Sequence, residues 1–215
     1  MPLRRISACL AILAGSLLNA EIIDRMAISV ANQVITEGEI EEQIRLAAFL
    51  NREQPDLSIE QKKKAAGRLV EQALVKRDME LSHYPIPPLT EASDALAKVK
   101  ALYPDAARYQ QALKQYAVTE DGLQRWLWWQ LTFLRFTDYR FRSAIQISDA
   151  EIQTYYQQQV PKWREQRVNP IPSLEDTRES IAEILTQQKI DQALEKWLED
   201  TRKQVSVKYL DETLQ

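Results

Sequence analysis

Apolar and polar residues alternate near both ends of the chain in the pattern of half-buried strands. The alternation is clearest in residues 26–30, continues beyond a turn at residues 32–33, and returns in residues 205–209. A strand on its own leaves its backbone groups unpaired and is not stable. We therefore expect the N-terminal hairpin to pair with the C-terminal strand. The two ends would then form one core domain from which long helices extend.

The residues between these strands follow the period of amphipathic helices, interrupted by polar or proline-rich breaks. Residues with hydroxyl or carboxylate side chains are the predicted N-caps: Thr36, Ser58, Thr90, Asp105, Thr119, Ser148 and Ser173. After Thr36, Ser58 and Ser148, a Glu or Gln three residues later completes a capping box. The pattern predicts a mostly α fold, a multi-helix module with a small β-element.

Prolines divide the helical region. Pro85, Pro87 and Pro88 form the clearest break, because proline cannot continue a helix. A second group of prolines falls within residues 157–172, which we expect to form a short irregular connector. The predicted organisation is a strand and helical module in residues 21–156, the connector in residues 157–172, and a returning helix and strand in residues 173–215.

The most apolar stretch of the chain runs from Leu123 to Phe141. A helix that is apolar most of the way round is buried on two sides, or is buried on one side and offers the other to a ligand. The candidate peptide-binding residues are its aromatic side chains: Trp126, Trp128, Trp129, Phe133, Phe136 and Tyr139. They form either plain core or a surface that holds unfolded peptide through apolar contact. We expect one or two to remain exposed, Trp128 first, because it lies off both apolar stripes of this helix. One stripe is Trp126, Trp129, Phe133 and Phe136, and the other is Leu123, Leu127, Leu131 and Leu134.

Residues 1–20 have the features of a secretory signal peptide. Arg4 and Arg5 precede the uncharged apolar run Ile6–Leu18, and Ala20 supplies the small residue expected before a cleavage site. The alternative is an uncleaved N-terminal anchor, although the apolar run is shorter than the roughly 20 residues that span a bilayer. The pattern therefore predicts an exported protein with no stable membrane insertion after cleavage.

Cleavage would change the composition of the chain. Cys9 is the only cysteine, so the predicted mature chain has neither a disulfide nor a thiol nucleophile. The net charge changes from −3 to −5, because two arginines and no acidic residue are removed. A mildly acidic chain is a poor binder of nucleic acid, and we expect no nucleic-acid partner.

Catalytic and cofactor motifs are scarce in the sequence. His83 is the only histidine, and no G-x-S-x-G nucleophile motif accompanies it. With four glycines in the whole chain, glycine-rich phosphate loops are nearly excluded. We expect no catalytic residue, no metal site and no cofactor. The lysine run Lys62–Lys64 is typical of a solvated helix face.

Three segments resemble one protein family. Residues 23–40, IDRMAISVANQVITEGEI, are similar to the opening of SurA-type periplasmic chaperones. Residues 147–156, ISDAEIQTYY, resemble the segment that closes the helical module of that family, just before its parvulin-type prolyl isomerase domain. Residues 173–208 resemble the helix and strand that return after that domain. The matches cover nearly all of the predicted mature chain, in the same order.

The resemblance implies an ATP-independent chaperone of the periplasm that binds unfolded or extended polypeptides, outer-membrane proteins among them. It does not extend to the isomerase, because only 16 residues separate Tyr156 from Ser173, whereas typical domains exceed about 50 residues. Two alternatives remain open: a family member with residual prolyl isomerase activity, and an envelope adaptor with one fixed protein partner. Formation of a homodimer is also left open.

Overall fold

The computed structural model describes residues 24–215, so the predicted signal peptide lies outside the described residues. The strands and helices are β1 (Met26–Val30), β2 (Gln33–Thr36), α1 (Glu37–Asn51), α2 (Ile59–Leu81), α3 (Ser93–Lys100), α4 (Ala106–Gln115), α5 (Glu120–Phe141), α6 (Asp149–Glu165), α7 (Leu174–Gln204) and β3 (Val207–Tyr209). Short 3-10 helices occupy Leu89–Ala92, Arg142–Ala144 and Glu212–Leu214. None of the helices in this part of the chain is both long enough and apolar enough to cross a membrane.

The sheet joins the two ends of the described chain. Its order is β2-β1-β3, and β1 pairs antiparallel with both neighbours, so that Ile28 lies opposite Ile35 on one side and Tyr209 on the other. Ile28 and Val30 are buried against the first helices, whereas Met26, at the start of the strand before an irregularity in its pairing, is 57% exposed. The predicted pairing of the N-terminal hairpin with the C-terminal strand is confirmed, as is the mostly α fold.

Two of the three predicted capping boxes are confirmed. The Thr36 hydroxyl accepts a hydrogen bond from the backbone N–H of Glu39, whose carboxylate accepts one from the Thr36 backbone, and Ser148 forms the same arrangement with Glu151. The box predicted at Ser58 is wrong. The Ser58 side chain makes no capping bond, and its backbone N–H donates instead to the carboxylate of Asp56 at 2.9 Å. A local Asp turn therefore replaces the cap.

Two predicted boundaries also differ from the structure. Thr90 caps no helix, because it lies inside the 3-10 helix that precedes α3. The irregular connector is shorter than predicted, since α6 continues through Pro161 to Glu165. A proline removes one helical N–H and disturbs the preceding turn, but the neighbouring hydrogen bonds can continue the helix. The chain then turns back into α7, and the Tyr156 hydroxyl donates to the carbonyl of Pro172 at 2.9 Å.

Three buried clusters hold the helices together. The first lies between the sheet, α1 and α2, and includes Leu214 near the C-terminus. The second joins the end of α1 to α3, α4 and the start of α5 around Phe49. The third joins α2 to the later part of α5, around Phe136, with α7 packed against it. Because α5 contributes to two clusters, it is fixed on more than one side.

The lysine run at the start of α2 does more than face solvent. The Lys62 ammonium lies 3.0 Å from the carboxylate of Glu37 and 2.8 Å from that of Glu41, so it joins α2 to α1. Its hydrogen bond to Glu41 holds the pKa of that carboxyl below its usual range. The prediction of a solvated helix face is therefore wrong for Lys62, whose side chain is 18% exposed. The same prediction fits Lys64, which pairs with Glu60 on the surface.

Candidate functional site

The position of α5 is set by a close approach to α1 at its first turn. The Thr119 hydroxyl caps the helix by accepting from the backbone N–H of Gly122 at 3.0 Å. A Cβ atom at Gly122 would lie 2.5 Å from a carboxylate oxygen of Glu42, so the start of α5 lies close to this side chain of α1. One turn later, Trp126 stands beside α1 and α2.

The six candidate aromatic residues occupy three kinds of environment. Trp129 and Phe136 are buried, while Trp126, Trp128 and Phe133 are half-buried. Tyr139 is 67% exposed. The structure therefore brings some of the candidates to a common surface and places others in the core or on a different face.

Trp128 is not the most exposed of these residues, contrary to the prediction. Its indole nitrogen donates a hydrogen bond of 2.9 Å to the carbonyl of Pro87, and its ring packs against the cluster around Phe136. The spacing of apolar residues along α5 shows only which positions share a face. It does not show that the proline-rich segment folds back across the helix and covers Trp128.

A groove runs between α1, α2 and α5. It consists of two adjoining cavities of about 310 and 290 Å³, both lined by Gln43, Gln72, Trp126 and Trp129. Phe133 extends the apolar wall, with its ring centre 6.0 Å from that of Trp129. We call this surface the tryptophan groove and define it by Gln43, Gln72, Trp126, Trp129, Gln130 and Phe133.

The tryptophan groove combines apolar walls with neutral polar groups. Gln43 lies on α1, Gln72 on α2 and Gln130 on α5, so an amide side chain comes from each of the three helices. Charges of both signs flank them: Arg68 and Glu71 line one cavity, and Glu39, Glu42, Lys76 and Arg125 line the other. The Lys76 ammonium lies over the Trp129 ring, 5.0 Å from its centre. Such a surface offers apolar contact together with hydrogen-bonding groups and charges of both signs.

The three glutamines of the groove were not among the residues predicted from the sequence. Gln43 follows Ile40 by three residues and precedes Ala47 by four, so helical spacing alone places it on the apolar face of α1. A polar residue at the centre of an apolar face is the signal that could have identified it. Gln72 and Gln130 carry no comparable signal, because their place in the groove depends on how α2 and α5 pack.

A second surface lies elsewhere on α5. Leu134 is 59% exposed, and together with Tyr139 it lines a shallow cleft of about 500 Å³ with Gln187 and Ile190 of α7. The ring of Tyr139 lies 5.3 Å from that of Tyr84, which follows α2. Tyr139 is thus separated from the tryptophan groove, and the candidate set does not form one continuous surface.

Ion pairs and aromatic contacts hold α7 against this part of α5. Arg142, just after α5, forms two hydrogen bonds of 2.8 and 3.0 Å with the Glu183 carboxylate, which keep the pKa of that carboxyl below its ordinary value. The rings of Phe141 and Trp197 meet edge to face at 6.4 Å. These contacts fix the wall of the cleft that contains Ile190.

Comparison of the sequence with models of known protein families and with curated proteins found no match. Within residues 24–215, no group of three or more His, Cys, Asp or Glu side chains is placed to hold a metal ion. The tryptophan groove and the sequence features described above are therefore the features that point to a function.

Proposed function

We propose that this protein is an ATP-independent chaperone that binds unfolded or extended polypeptides exported to the periplasm, including outer-membrane proteins. The observation that supports this most directly is the tryptophan groove, in which aromatic walls and amide side chains lie together. The signal-like N-terminal segment and the resemblance to SurA-type chaperones support the compartment.

Each apolar contact in this groove contributes little binding free energy, and none requires a particular client sequence. Full burial of one apolar side chain contributes about 1.5–3 kcal/mol, which by itself corresponds to weak and reversible binding. A folding client can therefore leave without an energy source. Aromatic walls accept apolar side chains of different shapes, which suits a client set of varied sequence.

The experiment compares two aromatic residues of the same helix. A chemically denatured, aggregation-prone client is diluted with and without the purified protein, and light scattering reports its aggregation. We expect the wild-type protein to suppress scattering at near-stoichiometric ratio, Phe133→Ala to weaken this suppression, and Tyr139→Ala to leave it unchanged. Circular dichroism confirms that both variants remain folded.

Other outcomes would favour a different client site or a different function. A loss in Tyr139→Ala with none in Phe133→Ala would move the client site to the cleft between α5 and α7. No suppression at several-fold excess would contradict the chaperone function and favour an adaptor with one fixed partner. Acceleration of isomerisation in a proline-containing peptide would instead support residual prolyl isomerase activity.

A further inference from the structure

The proline-rich segment, residues 84–92, crosses α5 as an extended chain before its final 3-10 turn. Each proline fixes its own φ and excludes helical backbone at the residue before it, so Pro85, Pro87 and Pro88 constrain the whole stretch. The backbone of Pro88, with φ −66° and ψ 150°, lies in the polyproline II region. Residues 84–88 belong to no helix or strand. The stretch therefore has the conformation of a proline-rich peptide ligand.

Two polar contacts attach this segment to one side of α5. The Trp128 indole donates to the carbonyl of Pro87 at 2.9 Å, and the Arg135 guanidinium pairs with the Glu91 carboxylate. Trp128 and Arg135 are seven residues apart, which is about two helical turns, so they lie on the same side of the helix. Aromatic side chains on a surface are the usual receptor for proline-rich peptides. The contact with Trp128 thus resembles the binding of a ligand by a receptor, within one chain.

Thr132 lies between these two attachment points, on the same side of α5. Its side chain is fully buried, and its hydroxyl has no hydrogen-bond partner among residues 24–215. Such burial of an unpaired polar group is unfavourable and uncommon. Thr132 follows Trp128 by four residues, and the 3-10 helix of the segment packs on α5. We infer that the segment covers this hydroxyl, which becomes accessible once the segment moves away.

The segment buries little of its own apolar surface. Ile86 is 55% exposed and Leu89 is 43% exposed. Tyr84 and Ala92 pack inward, with the Tyr84 ring 5.1 Å from that of Phe136. Apolar burial is the main source of attachment between packed elements, whereas an exposed ion pair contributes little. The segment can therefore detach at a lower cost than an element of the core.

We propose that the side of α5 formed by Trp128, Thr132 and Arg135 binds extended, proline-containing polypeptide segments, and that the proline-rich segment of this chain covers the site until such a ligand displaces it. The Trp128 indole then donates to a ligand carbonyl as it does to that of Pro87. The uncovered Thr132 hydroxyl gains a partner. A proline-rich ligand is favoured because it is already extended and loses less conformational entropy on binding.

This inference does not rest on the proposed chaperone function. The site shares none of the residues that define the tryptophan groove, and its ligand is a proline-containing segment rather than an apolar client of varied sequence. A chaperone that binds clients only in the tryptophan groove would leave the covered site unused. The two proposals are therefore tested by different probes.

The probe is a peptide with the sequence of residues 84–92, YPIPPLTEA. In a variant of the protein, residues 84–91 are replaced by alternating glycine and serine, which keeps the connection between α2 and α3 and uncovers α5. We expect this variant to bind the peptide in calorimetric titration. The wild-type protein should bind it at least about tenfold more weakly, because its own segment competes at the high effective concentration of a tethered ligand. Circular dichroism confirms that the variant is folded.

Substitutions in the uncovered variant identify the groups that bind. Trp128→Phe keeps an aromatic ring and removes the donor, and it should weaken binding about three- to tenfold, the effect of one hydrogen bond. Trp163→Phe on α6 is the matched control, because its ring packs on Tyr156 away from α5, and it should change nothing. A peptide with alanine at the three proline positions should bind more weakly than the probe.

Thr132→Val in the otherwise wild-type chain tests the covering in the opposite direction. The variant keeps the shape of the side chain and removes the unpaired hydroxyl, so the covered state should become more stable. Hydrogen exchange of the amides in Leu89–Ala92 should become slower, and the probe peptide should bind more weakly than to the wild-type protein. Faster exchange in this variant would show that the hydroxyl does not oppose covering.

The wild-type protein provides a measurement that does not depend on the folding of any variant. As the probe peptide is titrated, the amides of Leu89–Ala92 should lose protection from hydrogen exchange, while those of α4 keep theirs. Protection that stays unchanged throughout the titration would overturn displacement of the segment. A folded uncovered variant that fails to bind the peptide would overturn the site itself. Equal binding by the covered and uncovered proteins would place the peptide elsewhere and overturn the assignment to this side of α5.

Discussion

The indole nitrogen of Trp128 lies 2.9 Å from the carbonyl oxygen of Pro87, and this hydrogen bond ties the proline-rich segment to the middle of α5. The segment makes a second polar contact with the same helix through the ion pair of Glu91 with Arg135. Because both partners of that pair are partly exposed, we expect the indole bond to be the stronger of the two attachments.

Replacement of Trp128 by Phe should loosen the proline-rich segment without unfolding the protein. The variant keeps an aromatic ring in the cluster but loses the donor to Pro87, which typically costs about 1 kcal/mol. Hydrogen exchange of the amides in Leu89–Ala92 should become faster than in the wild-type protein. Unchanged protection in this segment would show that the ion pair and apolar contacts suffice to hold it.

Lys62 should contribute more to stability than its neighbour in the lysine run. Lys62→Met removes the ion pairs that join α2 to Glu37 and Glu41, and we expect a loss of about 1 kcal/mol in the free energy of unfolding. Lys64→Met is the matched control, because its pair with Glu60 is largely exposed, and it should change stability by less than about 0.5 kcal/mol. Urea denaturation measures both, and equal effects would contradict the bridging role of Lys62.

Glu151 should make the protein sensitive to acid. A hydrogen bond from Lys189, followed by bonds from the backbone and hydroxyl of Ser148, holds the pKa of Glu151 at about 2. Because this value lies below that of the unfolded chain, the stabilisation is present above about pH 4.5 and is lost as the pH falls towards about 2.

The variant Glu151→Gln should therefore show a smaller decrease in melting temperature between about pH 5 and pH 2.5 than the wild-type protein. Lys189→Met removes the largest cause of the lowered pKa and should reduce the decrease in the same direction. Thermal unfolding followed by circular dichroism gives the comparison. Parallel curves for the wild-type protein and both variants would exclude Glu151 as a source of acid sensitivity.

The C-terminal 3-10 helix should be part of the core. Leu214 is 6% exposed and packs in the cluster beneath the sheet, whereas Leu210 is 49% exposed. Leu214→Ala should lower the free energy of unfolding by about 2 kcal/mol, and Leu210→Ala should have little effect. Denaturant unfolding of the two variants tests this difference, and similar midpoints would show that Leu214 adds little to the core.

The sequence predicted the features that depend on local pattern. The alternation around Ile28 and Tyr209 indicated strands, and the requirement for backbone pairing indicated that they meet. The hydroxyl of Thr36 and the carboxylate of Glu39 identified the start of α1, because a capping box involves only residues within one turn.

The sequence did not predict features that depend on contacts between distant segments. Trp128 was expected to be exposed, but a carbonyl 41 residues away in the chain binds it. Lys62 was expected to face solvent, but Glu37 and Glu41 lie across from it once α1 and α2 pack. The glutamines of the tryptophan groove were missed for the same reason, since helical spacing does not show which polar residues will face a neighbouring helix.

The three-stranded sheet also fixes the order in which the fold can be completed. During synthesis, β1 and β2 emerge before the later helices and can form their hairpin with α1 and α2. The second edge of β1 stays open until Val207–Tyr209 arrive, because β3 is its partner there. Pairing between segments this far apart in the sequence is non-local, and non-local strand pairing forms slowly. The sheet is therefore incomplete, and β1 lacks its second partner, until Val207–Tyr209 has been made.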